Sequence, residues 1–323
     1  MSGEANQVEH EQISTSLEVE RIEVNLFRSK SLWLPLRARG VFGGQVISQA
    51  LVSATNAVGS QLSLHCYFLL SASPATPIVY EIDRVRNGRS YVTRTVKAIQ
   101  NGRVIFVMMC SFQQPEPWQP SHQLPMPVVP PPEECETTEE RYLKVAEQNG
   151  LPARAVDIYK SFAAEQARSP ITTRIAAEHR ISEDGSIQYM YWMKARNIPK
   201  YEVPFQKCIL GYLSDTRFIS SAGRTLGLRR GGQGPTGLSM LSTLDHAIWY
   251  YSDDFHCGDW LLYVIHSPRT GSGRGVVHGK IYTQDGKLVA VTSQEGVVRA
   301  DIRGPTQKND NGNKPNSPPS AKL

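Results

Sequence analysis

Apolar positions along this chain alternate or gather in short runs, and several runs are separated by Asn-Gly or Asp-Gly pairs. Residues 99–112, IQNGRVIFVMMCSF, place a polar-Asn-Gly turn before a β-rich run, and residues 283–299, TQDGKLVAVTSQEGVVR, repeat the design. Such a turn between apolar runs is the strongest short-range hairpin signal in a single sequence. Laying Gln100 on Gln284 also lays Asn101 on Asp285, Gly102 on Gly286, Arg103 on Lys287 and Val107 on Val291, an offset of 184 residues. That spacing is far too long for a solenoid and implies two copies of a whole domain, roughly 40–113 and 206–299. The second copy carries Gln294-Glu295-Gly296 where the first has Cys110-Ser111-Phe112, so one copy bears polar groups that the other lacks.

In chain order, residues 17–27 alternate imperfectly and predict a strand. Phe42, Val46, Ala50 and Ala54 recur every four residues and predict a helix over 43–58. Its many small residues lower helix propensity but let the backbone lie close against a sheet, so the helix should be buried. Strands are predicted over 63–70, 78–86, 90–100 and 103–112, with Asn87-Gly88 and Asn101-Gly102 supplying turns. One helix followed by antiparallel strands is an α+β pattern, not βαβ alternation. Eight prolines fall in residues 115–132, which suits a stiff interdomain linker. A short capped helix over 138–148 and an aromatic strand over 187–196 follow. The first pattern then returns, with a helix over 206–214 and strands over 242–251, 260–266, 275–283 and 287–298. The tail 304–320 offers nothing to bury and is expected to be disordered. It ends in Ala321-Lys322-Leu323, similar to the SKL-type peroxisomal address, which an import receptor reads at a free C-terminus.

Composition narrows the function. With 323 residues, 40% apolar and 20% charged, the chain has material for one large core or two ordinary ones. A net charge of +5 suits a small anionic ligand but supplies no dense basic stripe, so no nucleic-acid partner is expected. Five scattered cysteines without CxxC spacing indicate a reducing compartment. The apolar runs are too short to span a bilayer, so no membrane insertion is expected. There is no GxSxG elbow and no HExxH motif, and the histidines lack metal-ligand spacing; no metal or cofactor is expected. The GxGxxG match at 232–237 contains Pro235 and lacks a βαβ frame, which makes it a linker.

What remains is a polar set at the edges of the second copy: Asp215, Thr243, Asp245, His246, Gln294 and Glu295. Each has an ordinary structural reading. Asp215 can end a helix, although a carboxylate there opposes the helix dipole. Thr243 is a good strand former, and Gln294 suits an outward strand position.

The stretches RGVFGGQVISQAL, LHCYFLLSASPATPIVYEIDRVRNGRSYVTRTVKAIQNGRVIF, LGYLSD, STLDHAIWYY and GRGVVHGKIYTQDGKLVAVTSQEGVVR resemble the acyl-CoA thioesterase II family, over about residues 17–302 apart from the Pro-rich segment. The resemblance implies a double hotdog, two fused repeats each with a long helix wrapped by an antiparallel sheet. It divides the chain into a leader (1–16), an N-terminal hotdog (17–114), a linker with short helices (115–185), a C-terminal hotdog (186–302) and a tail (303–323). By resemblance the catalytic residues are Asp215, Thr243 and Gln294, the substrate is acyl-CoA, and a homo-oligomer in the peroxisomal matrix is expected. A thioester carbonyl is weakly resonance-stabilised, and its thiolate leaves readily because a simple thiol has a pKa of about 8.5. Hydrolysis can therefore proceed by water attack, with Asp215 as base and Thr243 and Gln294 orienting the water. Asp245 and His246 are expected to fix strand geometry, and Arg269 and Arg274 are candidates for CoA phosphates. Two alternatives stand beside this reading: an acyl-CoA-binding hotdog without turnover, and a hotdog enoyl-CoA hydratase using Asp245 and His246.

Overall fold

The computed structural model describes residues 12–56, 61–114, 116–229 and 234–302. The Ala321-Lys322-Leu323 tripeptide, the tail and most of the leader lie outside the described residues. A short helix α1 (Ile13–Leu17) precedes β1 (Val19–Glu23), β2 (Leu26–Ser29), α2 (Gly43–Thr55), β3 (Gln61–Phe68), β4 (Val79–Asn87), β5 (Tyr91–Gln100) and β6 (Arg103–Gln113). The second half holds α3 (Thr138–Ala146), α4 (Ala153–Ala167), β7 (Ile171–Ile181), β8 (Ile187–Ala195), α5 (Val203–Ser214) and α6 (Ser220–Thr225). It continues with β9 (Leu238–Thr243), β10 (Asp245–Tyr250), β11 (Leu261–Gly271), β12 (Arg274–Thr283) and β13 (Leu288–Ala300).

All of these strands join one antiparallel sheet in the order β1-β2-β4-β5-β6-β3-β10-β13-β12-β11-β8-β7, with β9 also on β13. The order reads alike from both ends, β1 answering β7, β4 answering β11 and β6 answering β13, so the repeat seen in sequence is a repeat in topology. Its two halves meet at β3 and β10, where Cys66 faces His246 and Leu64 faces Ile248. Each half wraps one long helix, α2 or α5, giving the double hotdog. The Asn101-Gly102 hairpin works as its sequence demands, with both residues at positive φ (51° and 71°).

Helices α2 and α5 lie against one another on the inner face of the sheet. Ser48 Oγ donates to the Cys208 carbonyl at 2.8 Å, and a Cβ added at Gly211 would come within 3.1 Å of Leu51. The small residues of α2 thus serve a close helix–helix approach as well as burial. Pro204 in the first turn of α5 places a missing N–H where none is needed.

Local conflicts reshaped several predicted elements. The strand expected over 17–27 is a β1–β2 hairpin because Asn25 turns the chain at φ 63°. The strand expected over 242–251 breaks at Leu244, whose N–H goes to the Glu295 carbonyl, so Thr243 ends β9 and Asp245 begins β10. Within the span read as linker, α4 is a full helix and β7 extends the sheet beside β8. The Pro-rich segment itself crosses the outer face of the second half. There the Pro130 carbonyl accepts from Trp192 Nε1 at 2.9 Å, the Val128 carbonyl accepts from Arg180, and Gln123 hydrogen-bonds the backbone of Gly286 and Leu288. With Cys135 it covers Met190, Trp192, Leu262 and Val264. Proline suits this work, because an extended segment with few N–H groups can lie on apolar side chains with few donors left to satisfy.

Candidate active site

Asp215 is the C-cap of α5, and Gln294 faces inward from β13. Gln294 is fully buried and its Nε2 donates to Asp215 Oδ1 at 2.7 Å. The second N–H of the same amide goes to His246 Nδ1 at 3.1 Å, which makes that nitrogen the acceptor. His246, 1% exposed, therefore carries its proton on Nε2 and donates to Ser214 Oγ at 3.0 Å, and that hydroxyl donates to the Gly211 carbonyl at 2.8 Å. Both Gln294 donors are thus committed. Its Oε1 is a buried acceptor with no protein partner among the described residues.

Charge is handled by the opposite helix. The Gly44 backbone N–H, in the first turn of α2, hydrogen-bonds Asp215. Asp215 thus sits at the unfavourable end of its own helix and at the favourable end of α2, where free N–H groups and the dipole stabilise an anion. A Cβ at Gly43 would fall 2.8 Å from Asp215 Oδ2, and one at Gly44 would fall 2.7 Å from the Tyr212 carbonyl. Glycine at both positions is what lets backbone meet carboxylate. Burial pushes Asp215 up to about 6, against the lowering effect of the Gln294 and Gly44 hydrogen bonds. Burial drives His246 the other way, down to about 3, so its imidazole is neutral.

Thr243 stands opposite Gly296 in the β9–β13 register, so its side chain points to the same face as Gln294, two residues along. That diagonal separates the two by roughly 7 Å between backbones. Among the described residues no hydrogen bond joins Thr243 to Asp215 or Gln294. Tyr263 closes the inner wall, its hydroxyl donating to the Ser214 carbonyl at 2.8 Å and lying 2.9 Å from Thr292 Oγ1.

Asp245 and His246 do not act as a pair. They are successive residues of one strand and face opposite sides of the sheet. Asp245 Oδ1 accepts from the Glu295 N–H at 2.8 Å and ties β10 to β13, while His246 holds Gln294. Arg274 pairs with Glu295 at 3.1 Å on the outer face, and Arg269 lies near the same hairpin, away from the buried network. Sequence reasoning missed Gly43, Gly44 and the His246–Gln294 bond. The paired glycines opening a helix were the available signal, and only the α2–α5 juxtaposition gives them meaning. Among the described residues there is no group of three or more His, Cys, Asp or Glu side chains able to hold a metal.

Comparison with known proteins agrees with this architecture. Residues 31–113 match the family model for the acyl-CoA thioesterase N-terminal domain, and residues 132–298 match that for the C-terminal domain. The chain is 35% identical over 296 residues to human acyl-coenzyme A thioesterase 8, covering 89% of this chain and 88% of that protein. It is 25% identical over 316 residues to the peroxisomal acyl-coenzyme A thioester hydrolase 1 of Saccharomyces cerevisiae, covering 82% of this chain and 87% of the yeast protein. Among solved structures, the acyl-CoA thioesterase II TesB2 of Mycobacterium marinum superposes with a TM-score of 0.68 at 34% identity, over 88% of this chain and 96% of that one. A hot dog fold protein of Alicyclobacillus acidocaldarius is similar in fold, with a TM-score of 0.66 at 19% identity over 89% of this chain and 97% of that one. Two domain models in series, and long relatives matched nearly end to end, place the chain in a family: it belongs to the acyl-CoA thioesterase II family.

Proposed function

We propose that this chain hydrolyses fatty acyl-CoA to free fatty acid and CoA, with Asp215 as the base that activates water. The observation that carries the proposal is the Asp215–Gln294 pair: a carboxylate raised to about 6 and an amide whose two N–H groups are already spent. A base with a pKa near the working pH is ionised yet still able to take a proton. Gln294 Oε1 would accept one hydrogen of the attacking water while Asp215 removes the other, and Thr243 flanks the same face. Fixing the water in line with the thioester carbonyl lowers the barrier by orientation. As the tetrahedral adduct collapses, its C–S bond breaks and the proton held by Asp215 passes to the thiolate, leaving carboxylic acid and CoA thiol. His246 is a positioning residue in this scheme. Its neutral Nδ1 prevents the Gln294 amide from turning its donors toward the water.

The working compartment in this reading is the peroxisomal matrix, with fatty acid metabolism as the setting. The C-terminal Ala321-Lys322-Leu323 and the name of the yeast relative support it. An import receptor would read that tripeptide, and assembly of several copies is expected. The test is thiol release from acyl-CoAs of graded chain length beside a wild-type and an Asp215→Asn preparation. Hydrolysis predicts free thiol from the wild type and a collapse in the variant. Tight acyl-CoA binding without thiol release would replace the hydrolase with a binding module, and loss of enoyl absorbance would replace it with a hydratase.

A further inference from the structure

The Pro-rich strap is docked on one edge only. From Leu124 to Pro132 burial recurs every third residue. Met126, Val129 and Pro132 turn inward, and the first two pack on the cluster of Met190, Trp192, Leu262 and Val264. Pro125, Val128 and Pro131 are all exposed, Val128 at 87%. Leu124, Pro127 and Pro130 form the third edge, exposed at both ends and half-buried at Pro127. A period of three is that of the polyproline II helix, a three-edged rod with no hydrogen bonds of its own. Pro131 has the matching backbone angles, φ −63° and ψ 158°. The rod is fixed from beneath, where the Val128 carbonyl accepts from Arg180 and the Pro130 carbonyl from Trp192.

Two of the three edges therefore face outward. Along them lie the dipeptides Pro127-Val128 and Pro130-Pro131, about 9 Å apart at the rise of this helix. Grooves that take polyproline II segments are lined by aromatic rings, and a groove closing on a three-edged rod meets two edges and leaves the third outside. Here that third edge is the one already spent on the chain's own sheet. A segment held in the bound conformation beforehand also loses little freedom on binding. Immediately after the rod, Glu133 and Glu134 are exposed and make no ion pair among the described residues, which calls for positive charge on the occupant at that end. We propose that residues 124–134 dock a separate protein domain whose groove is lined by aromatic side chains and flanked by Lys or Arg beside Glu133 and Glu134. The strap lies on the outer face of the sheet, so docking there leaves the network at Asp215 untouched.

The test is calorimetric titration of the full chain with a panel of purified SH3 and WW domains whose grooves carry basic rims. At least one should bind saturably, and Val128→Ser and Pro131→Ala should each weaken that binding about tenfold, as expected for losing one buried apolar contact. Both side chains are exposed, so thiol release and the thermal melt of these variants should match wild type. The double variant Glu133→Gln with Glu134→Gln should bind severalfold more weakly at low salt and respond less to added salt. Trp118, 86% exposed on the same strap but outside the rod, controls for general apolar adhesion. Binding abolished by Trp118→Ala and untouched by Val128→Ser and Pro131→Ala would overturn the proposal. So would a panel in which no domain binds more tightly than about 1 mM, or a salt response that the double glutamine variant leaves unchanged. Sedimentation of the chain alone closes the remaining route: dimers that dissociate in Val128→Ser would make a second copy the occupant and overturn the proposal as well.

Discussion

Replacing Gly43 by alanine probes the site with one methyl group. The added Cβ would lie 2.8 Å from Asp215 Oδ2 and 3.1 and 3.3 Å from the Phe68 ring. Relief to ordinary contact requires the carboxylate to retreat by roughly half an ångström, because overlapping atoms lose their attraction steeply. Retreat is opposed on the far side by Gln294, which holds Oδ1 at 2.7 Å. Since an ångström of misplacement can cost about 100-fold in rate, half that shift at the base predicts a fall in kcat of about tenfold or more. Overpacking costs about 1–3 kcal/mol, partly offset by up to about 1 kcal/mol from the better helix propensity of alanine, so Tm should move by only a few degrees. Gly223→Ala is the control: its Cβ would meet Leu238 and Val298 at 3.7 Å, ordinary contact. Steady-state thiol release and a thermal melt on both variants give the answer. A Gly43→Ala enzyme with kcat within twofold of wild type, or a Gly223→Ala enzyme damaged equally, would refute the contact between α2 and the base.

Further outcomes follow from the same network. Activity should rise through about pH 6 as Asp215 loses its proton and stay level above it, which a pH–kcat profile checks. Stability should run the other way. The folded carboxyl is raised from 3.8 to about 6, so its contribution is complete below the unfolded value and lost as pH rises through about 6, by at most roughly 3 kcal/mol. Denaturant melts at pH 4 and 8 on wild type and Asp215→Asn measure it, and an identical pH slope in both would contradict the raised carboxyl. His246→Leu leaves a Gln294 N–H and the Ser214 hydroxyl short of a partner, at about 1–3 kcal/mol, and should lower kcat without moving the pH midpoint. A midpoint that shifts would make His246 a titrating participant. Trp192→Phe loses its N–H bond to Pro130 and should destabilise the fold by about 1 kcal/mol while leaving kcat alone; equal loss of activity would show that the Pro-rich strap shapes the site.

Much of this architecture is legible in the sequence because a repeat carries it. The match of 100–107 to 284–291 anticipates two halves, and the mirrored strand order is the same fact in three dimensions. Asp215 and Gln294 were legible through motif likeness, and their polar character at the edge of an apolar copy marked them. Other features depend on neighbours far away in the chain. Gly43 and Gly44 read as small residues of a buried helix until α5 brings Asp215 against them. Residues 171–181 carry Arg174, Glu178, His179 and Arg180, which masks an apolar strand pattern, and β7 forms because β8 offers it an edge. The break at Leu244 was hidden for a similar reason: β9 and β10 both pair with β13, and only a one-residue slip in that register, with Thr243 opposite Gly296 but Ala247 opposite Ser293, divides the run.

The most direct measurement is single-turnover thiol release by Asp215→Asn beside wild type, with acyl-CoA binding followed in parallel. Removing the base while keeping an acceptor for Gln294 should lower the chemical rate by about 100-fold or more and leave acyl-CoA affinity within a few-fold. An Asp215→Asn enzyme that binds acyl-CoA and releases thiol at the wild-type rate would contradict the account, because water would then be activated by some other group.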